Sequence, residues 1–229
     1  PGGGSYQQDA SSIYMDFAAQ HWPYPLFVAA ACNDGQSAVP NNRLANGLVV
    51  GGANDQGDPD RSNLKTMYGS SSGTNVGGPG GWEFPHLVAS AVDVNTACRR
   101  DGRVCKMDGT SMAAPQVSGV AASLQETEAW LKHGPEAMMA IMLTAPEQDV
   151  HGGWPLNLDD AVDDWDGVGA VHGAYALEIA SNFAWPGDPA TTEGFDLNVM
   201  NSADDPEGSY SDKVYYAEVP NGRTLRVAL

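Results

Sequence analysis

A parallel α/β sheet layered with helices is the fold the sequence predicts for most of the chain. Three observations carry this. Residues 26–31 read LFVAAA and residues 48–50 read LVV, continuous apolar runs of the kind found in strands buried on both faces. Each run ends in a turn-forming loop, Asn33-Asp34-Gly35 after the first and Gly51-Gly52 after the second. Stretches with helical spacing alternate with these runs, which is the pattern of a parallel sheet with crossover helices. Sites in such sheets form at the carboxyl ends of strands, so the Asn33 loop is the first place to look for function.

The elements follow in order. Residues 6–20 carry Ile13, Tyr14, Phe17 and Ala18 at helical spacing, and His21-Trp22-Pro23 ends that helix. Residues 54–82 form a long Gly/Ser/Asn-rich loop region. Residues 87–94 are a further strand. Residues 136–144 form a helix with Pro135 suited to its start, and residues 171–180 form another. Residues 186–192 are rich in Pro, Gly and small polar side chains and read as a linker. The chain therefore divides into an α/β unit, residues 1–185, and a β-rich unit, residues 186–229. In the second unit residues 213–219 and 224–229 are strands around the Asn221-Gly222 hairpin turn.

Charge and cysteine content narrow the partners. The 229 residues hold 29 acidic against 11 basic side chains, for a formal net charge of -18. Phosphate binding needs Lys and Arg, so nucleic acid is not expected as a partner. The acid excess reads first as solubility. No apolar stretch reaches bilayer-spanning length. The chain opens on Pro1-Gly2-Gly3-Gly4, without an initiator Met or a signal peptide, and is expected to come from a longer precursor. Of the three cysteines, Cys98 and Cys105 flank a polar turn at Asp101-Gly102. A hairpin there would bring their sulfurs within bridging distance, as suits a secreted protein. Two unpaired loop thiols are the alternative. Cys32, in an apolar run, reads as a small buried hydrophobe.

The chemistry concentrates in residues 108–125, DGTSMAAPQVSGVAASLQ. After Asp108 this stretch is uncharged, with apolar residues on every face, so it is expected to be a fully buried helix. Ser111 lies at its start, beside free backbone N–H groups and the positive end of the helix dipole. Pro115 is placed near the first turn, where its missing N–H costs least. A serine so placed can act as a nucleophile with oxyanion donors close by. Ser111 or Thr110 as a plain N-cap is the other reading.

The run Gly109-Thr110-Ser111-Met112-Ala113-Ala114-Pro115-Gln116-Val117-Ser118-Gly119 resembles the nucleophile motif of the subtilisin-like serine proteases, G-T-S-M-A-x-P-x-V-x-G, at every fixed position. Other segments resemble that family in the same order. Residues 27–35, FVAAACNDG, resemble the strand ending in A-A-G-N-x-G. Residues 49–53 resemble a following V-G-A strand, and residues 85–89 the K-P-D-[VI]-x-A-P-G segment. Leu143-Thr144-Ala145 resembles the L-x-x-T-A helix end, and Gly167-Val168-Gly169 the closing G-x-G segment. Residues 4–9 resemble a subgroup that carries a C-terminal β-sandwich. The likeness covers about residues 4 to 183.

This resemblance implies a three-layer subtilisin-like α/β fold with a parallel sheet, present here as its C-terminal part, followed by the start of a β-sandwich. It implies a secreted serine endopeptidase acting on protein or peptide substrates. Ser111 would be the nucleophile, with its own N–H and the Asn33 amide forming the oxyanion hole. Ala31, Cys32 and Thr110 would line the substrate. In that family the triad Asp and His precede the oxyanion Asn. The motifs D-[ST]-G and H-G-T-H are absent from this chain, so an upstream segment would supply both residues, as one polypeptide or as a separate bound chain. The five histidines, His21, His86, His133, His151 and His172, read as structural or surface residues.

The sequence departs from the family in three places. Cys32 replaces the glycine that lines the first specificity pocket, which would narrow it. His86 stands for an Asp, and Ser90-Ala91 replaces Pro-Gly. A non-catalytic peptide-binding scaffold of the same fold is the rival reading. The family often binds calcium, which gives a second reading to the acidic runs Asp159-Asp160, Asp163-Asp164 with Asp166, and Asp204-Asp205. No twelve-residue Ca²⁺ loop is present, so their first reading is a solvated loop. The tryptophans read as packing residues, with carbohydrate stacking as the other use.

Overall fold

The computed structural model describes residues 8–21, 23–35, 40–55, 57, 63–76, 82–98, 102–146, 150, 165–183, 194–195, 219 and 227. The chain runs α1 (Ala10–Ala19), β1 (Phe27–Ala30), β2 (Gly47–Asn54), β3 (Lys65–Thr66), β4 (Gly73–Val76), β5 (Trp82–Phe84), β6 (Leu87–Ser90), β7 (Val94–Ala97), β8 (Val104–Met107), α2 (Thr110–Thr127), a 3-10 turn (Ala129–His133), α3 (Pro135–Thr144) and α4 (Gly173–Ala180). The linker at residues 186–192, the hairpin of the β-rich unit and all of the acidic runs except Asp166 lie outside the described residues.

The sheet is parallel at its centre. β2 pairs with β1 on one edge, Phe27 opposite Gly47, and with β6 on the other, Val50 opposite Leu87. Val88 bridges in parallel to Ala170, which extends the sheet beyond β6. β3 adds an antiparallel pair at the end of β2. Side chains alternate across this sheet, as the pleat requires. Val28, Ala30, Leu48, Val50, Leu87 and Ala89 turn to one layer, where they meet α2, α3 and α4. Phe27, Ala29 and Val49 turn to the other, with Leu44, Phe84 and Met15 of α1. The expected fold, helices on both faces of a parallel sheet, is observed. Leu124, Leu131, Met138, Ile141 and Met142 are almost wholly buried in the first layer. Each such side chain contributes roughly 1.5–3 kcal/mol by leaving water.

Several elements differ from their sequence expectation. α1 starts only at Ala10, where the Asp9 carboxylate caps it by accepting the Ser12 N–H at 2.7 Å. Its apolar stripe faces outward: Ile13, Tyr14 and Phe17 are exposed, while Ser12, Asp16 and Ala19 are buried. The cause is Asp16, whose carboxylate accepts the N–H groups of Ala45 and Asn46 at 2.9 and 2.8 Å and so turns the polar side inward. α2 is buried on one face only, through Ala113, Ala114, Val117, Ala121 and Leu124. Its outer face carries Gln116, Ser118, Gly119, Ala122 and Ser123, small or polar residues that cost little when exposed. The loop region at 54–82 contains β3 and β4, and β4 forms a hairpin with β5. The strand expected at 87–94 is two, because the chain turns at Asp93 with φ 56 before β7 begins.

Cys98 and Cys105 form a disulfide across the β7–β8 hairpin. Phe195 returns onto the α/β unit, its ring 5.3 Å from that of Trp130 and 5.3 Å from that of Phe183. Packing therefore crosses the expected boundary at residue 185, and Trp130 is used in the core. Among the described residues no helix is long and apolar enough to cross a membrane.

Candidate active site

Two strand ends and one helix start converge. β1 runs into Ala31, Cys32 and Asn33. β6 runs into Ala91, whose carbonyl accepts the Gly109 N–H at 2.7 Å and so pins the entry of α2 to the sheet. The site thus sits at the carboxyl ends of parallel strands, as the α/β pattern predicts.

Gly109 is the N-cap of α2, with φ 133 and no side-chain cap bond. Thr110 and Ser111 are the first and second helical residues, so neither is the N-cap. Ser111 is exposed, and its N–H is among the first-turn donors for which an α-helix offers no carbonyl four residues back. Pro115 lies in the second turn rather than the first. Without an N–H it cannot bond the Ser111 carbonyl four residues earlier.

Thr110 is wholly buried and donates twice to Asn33 Oδ1, from its backbone N–H at 3.0 Å and from its hydroxyl at 3.2 Å. Both donors occupy the amide oxygen, which assigns the NH₂ group to the other side of the side chain. Gly109 is required here. A Cβ at this position would sit 3.2 Å from Asn33 Nδ2 in a backbone conformation that side chains rarely adopt. The motif G-T-S therefore has a local reason: Gly makes room for Asn33, Thr holds it, and Ser comes next.

A second loop grips the same turn. Ser71 accepts the Asp34 N–H on its hydroxyl at 3.0 Å and donates its own N–H to the Cys32 carbonyl at 3.1 Å. The Gly35 N–H donates to the Gly69 carbonyl at 3.0 Å. Ser70, Ser71 and Ser72 are all buried. Sequence reasoning missed them, because serines between glycines carry the signature of a solvated loop.

Cys32 is a free, half-buried thiol with φ 79, and its Sγ lies 3.9 Å from Asn41 Nδ2. Ala31 is wholly buried and donates its N–H to the Val50 carbonyl, so its backbone belongs to the sheet. The changed pair Ser90-Ala91 keeps a defined geometry. Ala91 is buried and holds Gly109, and the Ser90 carbonyl accepts from Gln116 Nε2 at 2.7 Å.

Three of the described histidines, His21, His86 and His172, make structural hydrogen bonds. His172 Nδ1 accepts the Tyr175 N–H at 3.0 Å and caps α4. His21 Nδ1 lies 2.6 Å from the Phe17 carbonyl. His86 Nδ1 accepts the Val49 N–H at 2.9 Å, and burial pushes its pKa down to about 4 against a smaller opposite pull from Asp16. The Gly167 that follows it in space has φ 64, and a Cβ there would meet the His86 carbonyl oxygen at 2.3 Å. His151 lies outside the described residues. Of the acidic runs, read first as solvated loop and second as calcium ligands, Asp166 is the one residue among those described. It is buried, and its carboxylate accepts the Val150 N–H at 2.5 Å. Among the described residues no three His, Cys, Asp or Glu are grouped to hold a metal ion.

Residues 1–169 match the family described as the Subtilase family. The chain belongs to the subtilase family. Solved structures similar to this subtilase chain include the self-cleaved protease domain of PatA, at 21% identity over 77% of this chain and 57% of that one, with a TM-score of 0.52. The PatG macrocyclase in complex with peptide is similar at 20% identity over 76% of this chain and 48% of its own, with a TM-score of 0.51. Fervidolysin from Fervidobacterium pennivorans, a keratinolytic enzyme related to subtilisin, is similar at 19% identity over 72% and 24%, with a TM-score of 0.52. These likenesses show the fold, and this subtilase spans 57% or less of each of the three chains. No curated protein matches it.

Proposed function

We propose that this subtilase chain is the nucleophile-bearing part of a secreted serine endopeptidase, with Ser111 as nucleophile and Asn33 in the oxyanion hole. The observation that carries the reading is the pair of Thr110 bonds to Asn33 Oδ1 at the residue just before Ser111. They turn the Asn33 amide donor out beside the start of α2.

The chemistry then follows. Ser111 Oγ bonds to the scissile carbonyl carbon while its proton passes to a histidine. The carbonyl oxygen becomes an oxyanion, held by Asn33 Nδ2 and the Ser111 N–H. The C–N bond breaks as the histidine returns the proton to the leaving amine. Water then repeats the sequence on the acyl-enzyme. The histidine and its aspartate come from a segment outside this chain. The outward apolar side chains Ile13, Tyr14 and Phe17 offer that segment a surface to cover. Cys32 narrows the pocket for the residue before the cut and favours small side chains. The Cys98–Cys105 disulfide supports an oxidising, extracellular setting. A structural calcium site in the acidic loops is part of the same proposal.

Asn33→Ala in the full-length protease tests the reading. Loss of one oxyanion donor costs about 100- to 1,000-fold in kcat, a magnitude carried over from subtilisin itself. We expect that loss with KM little changed. An unchanged kcat would leave Asn33 without its role and favour a peptide-binding scaffold.

A further inference from the structure

The three consecutive buried serines of the 67–72 loop are unusual, because serine is mostly a surface residue and a buried hydroxyl needs a partner. Ser70 and Ser71 face two different structures. The Ser70 hydroxyl accepts the Gly52 N–H at 3.0 Å, and the Met67 N–H donates to the Gly52 carbonyl at 2.8 Å. These two bonds fasten the loop to β2. The next residue reaches the other way. Ser71 binds the carbonyl of Cys32 and the N–H of Asp34, the two residues on either side of Asn33.

We infer that Ser71 is a positioning residue that holds the backbone of Asn33 in register with the start of α2. This deepens the proposed role of Asn33 and rests on it. The turn needs such a hold. Cys32 sits at φ 79, a conformation that costs a residue with a side chain and persists only where its surroundings fix it. Asn33 and Asp34 are exposed, so the core does not pack them into place. Thr110 fixes the side-chain end of Asn33, and Ser71 fixes its main chain. Between them the amide donor is set before any substrate arrives, which is what makes an oxyanion donor effective. Ser71 itself is wholly buried and does not reach the substrate.

The test is a double-mutant cycle in the full-length protease, read as kcat and KM on a succinyl-Ala-Ala-Pro-Ala p-nitroanilide, with Tm measured for every variant. Ser71→Ala should lower kcat by about 5- to 10-fold, the scale of one hydrogen bond, and leave KM unchanged. In the Asn33→Ala background the same substitution should change kcat by less than about twofold, because its effect acts through Asn33. A Ser71→Ala enzyme with normal kcat and only a lowered Tm would overturn the inference. So would an equal loss in both backgrounds. If Ser71→Ala does not fold, Ser71→Cys, close in size and a poorer acceptor, enters the same cycle with the same expectation. A full-rate Asn33→Ala enzyme would instead sink the oxyanion reading, and this inference with it.

Discussion

His86 makes the stability of this fold depend on mildly acidic pH. Its ring is largely buried beside Phe84, at 4.9 Å between ring centres, and its Nδ1 accepts the Val49 N–H. Protonation would set two donors against each other at that contact and place a charge among apolar side chains. Burial therefore lowers the pKa from 6.5 to about 4. In the unfolded chain the imidazole titrates normally, so between those values the unfolded state binds the extra proton. Unfolding free energy then falls as pH falls, starting near 6.5 and ending near 4. At about 1.4 kcal/mol per pH unit, the loss across that window is about 3 kcal/mol. The assay is guanidinium unfolding of the full-length protein carrying Ser111→Ala, which removes the proposed nucleophile, at several pH values from 7.5 down to about 4. His86→Gln, whose amide oxygen can accept the Val49 N–H, should flatten the curve in that window. Asp9 also has a lowered pKa through its bond to the Ser12 N–H, but its contribution is lost only below its ordinary value of 3.8, so the two are separable. Parallel curves for the parent and His86→Gln would refute the reasoning.

Other expectations follow from single contacts. Thr110→Val removes the hydroxyl donor to Asn33 Oδ1 and keeps the backbone one. It should lower kcat by about fivefold in steady-state peptide hydrolysis. Cys32→Gly relieves a positive φ and should raise stability by about 0.5–1 kcal/mol after the entropic cost of glycine, measured by denaturant unfolding. It should also widen the preference toward larger residues before the cut, read from cleavage-site profiling. Leu124→Ala leaves a cavity between α2 and its neighbours and should cost roughly 2–5 kcal/mol in the same unfolding assay.

The sequence was most legible where local chemistry and fold agree. The apolar run at β2 is a strand buried on both faces, the one at β1 is half-buried and pairs along it, and Pro135 starts α3 as its missing N–H allows. The G-T-S run pointed to Ser111, and the likeness of residues 27–35 to the A-A-G-N-x-G strand pointed to Asn33; that Gly109 and Thr110 hold Asn33 was visible only in the structure. Legibility failed where one long-range contact overruled a local pattern. The helical stripe of α1 was visible, but its direction was set by the Asp16 carboxylate bonding residues 29 and 30 positions away. The all-apolar look of α2 hid that one face is made of residues small enough to stay exposed. Ser71 could not be found at all, because its importance lies in contacts 37 residues distant.

Labelling of the matured, full-length protein with a fluorophosphonate, followed by intact-mass and peptide mapping, tests the central claim most directly. The account predicts a single adduct on Ser111, abolished by Ser111→Ala and slowed by Asn33→Ala. A protein with intact upstream Asp and His motifs that forms no adduct, or forms it at another residue, would contradict it.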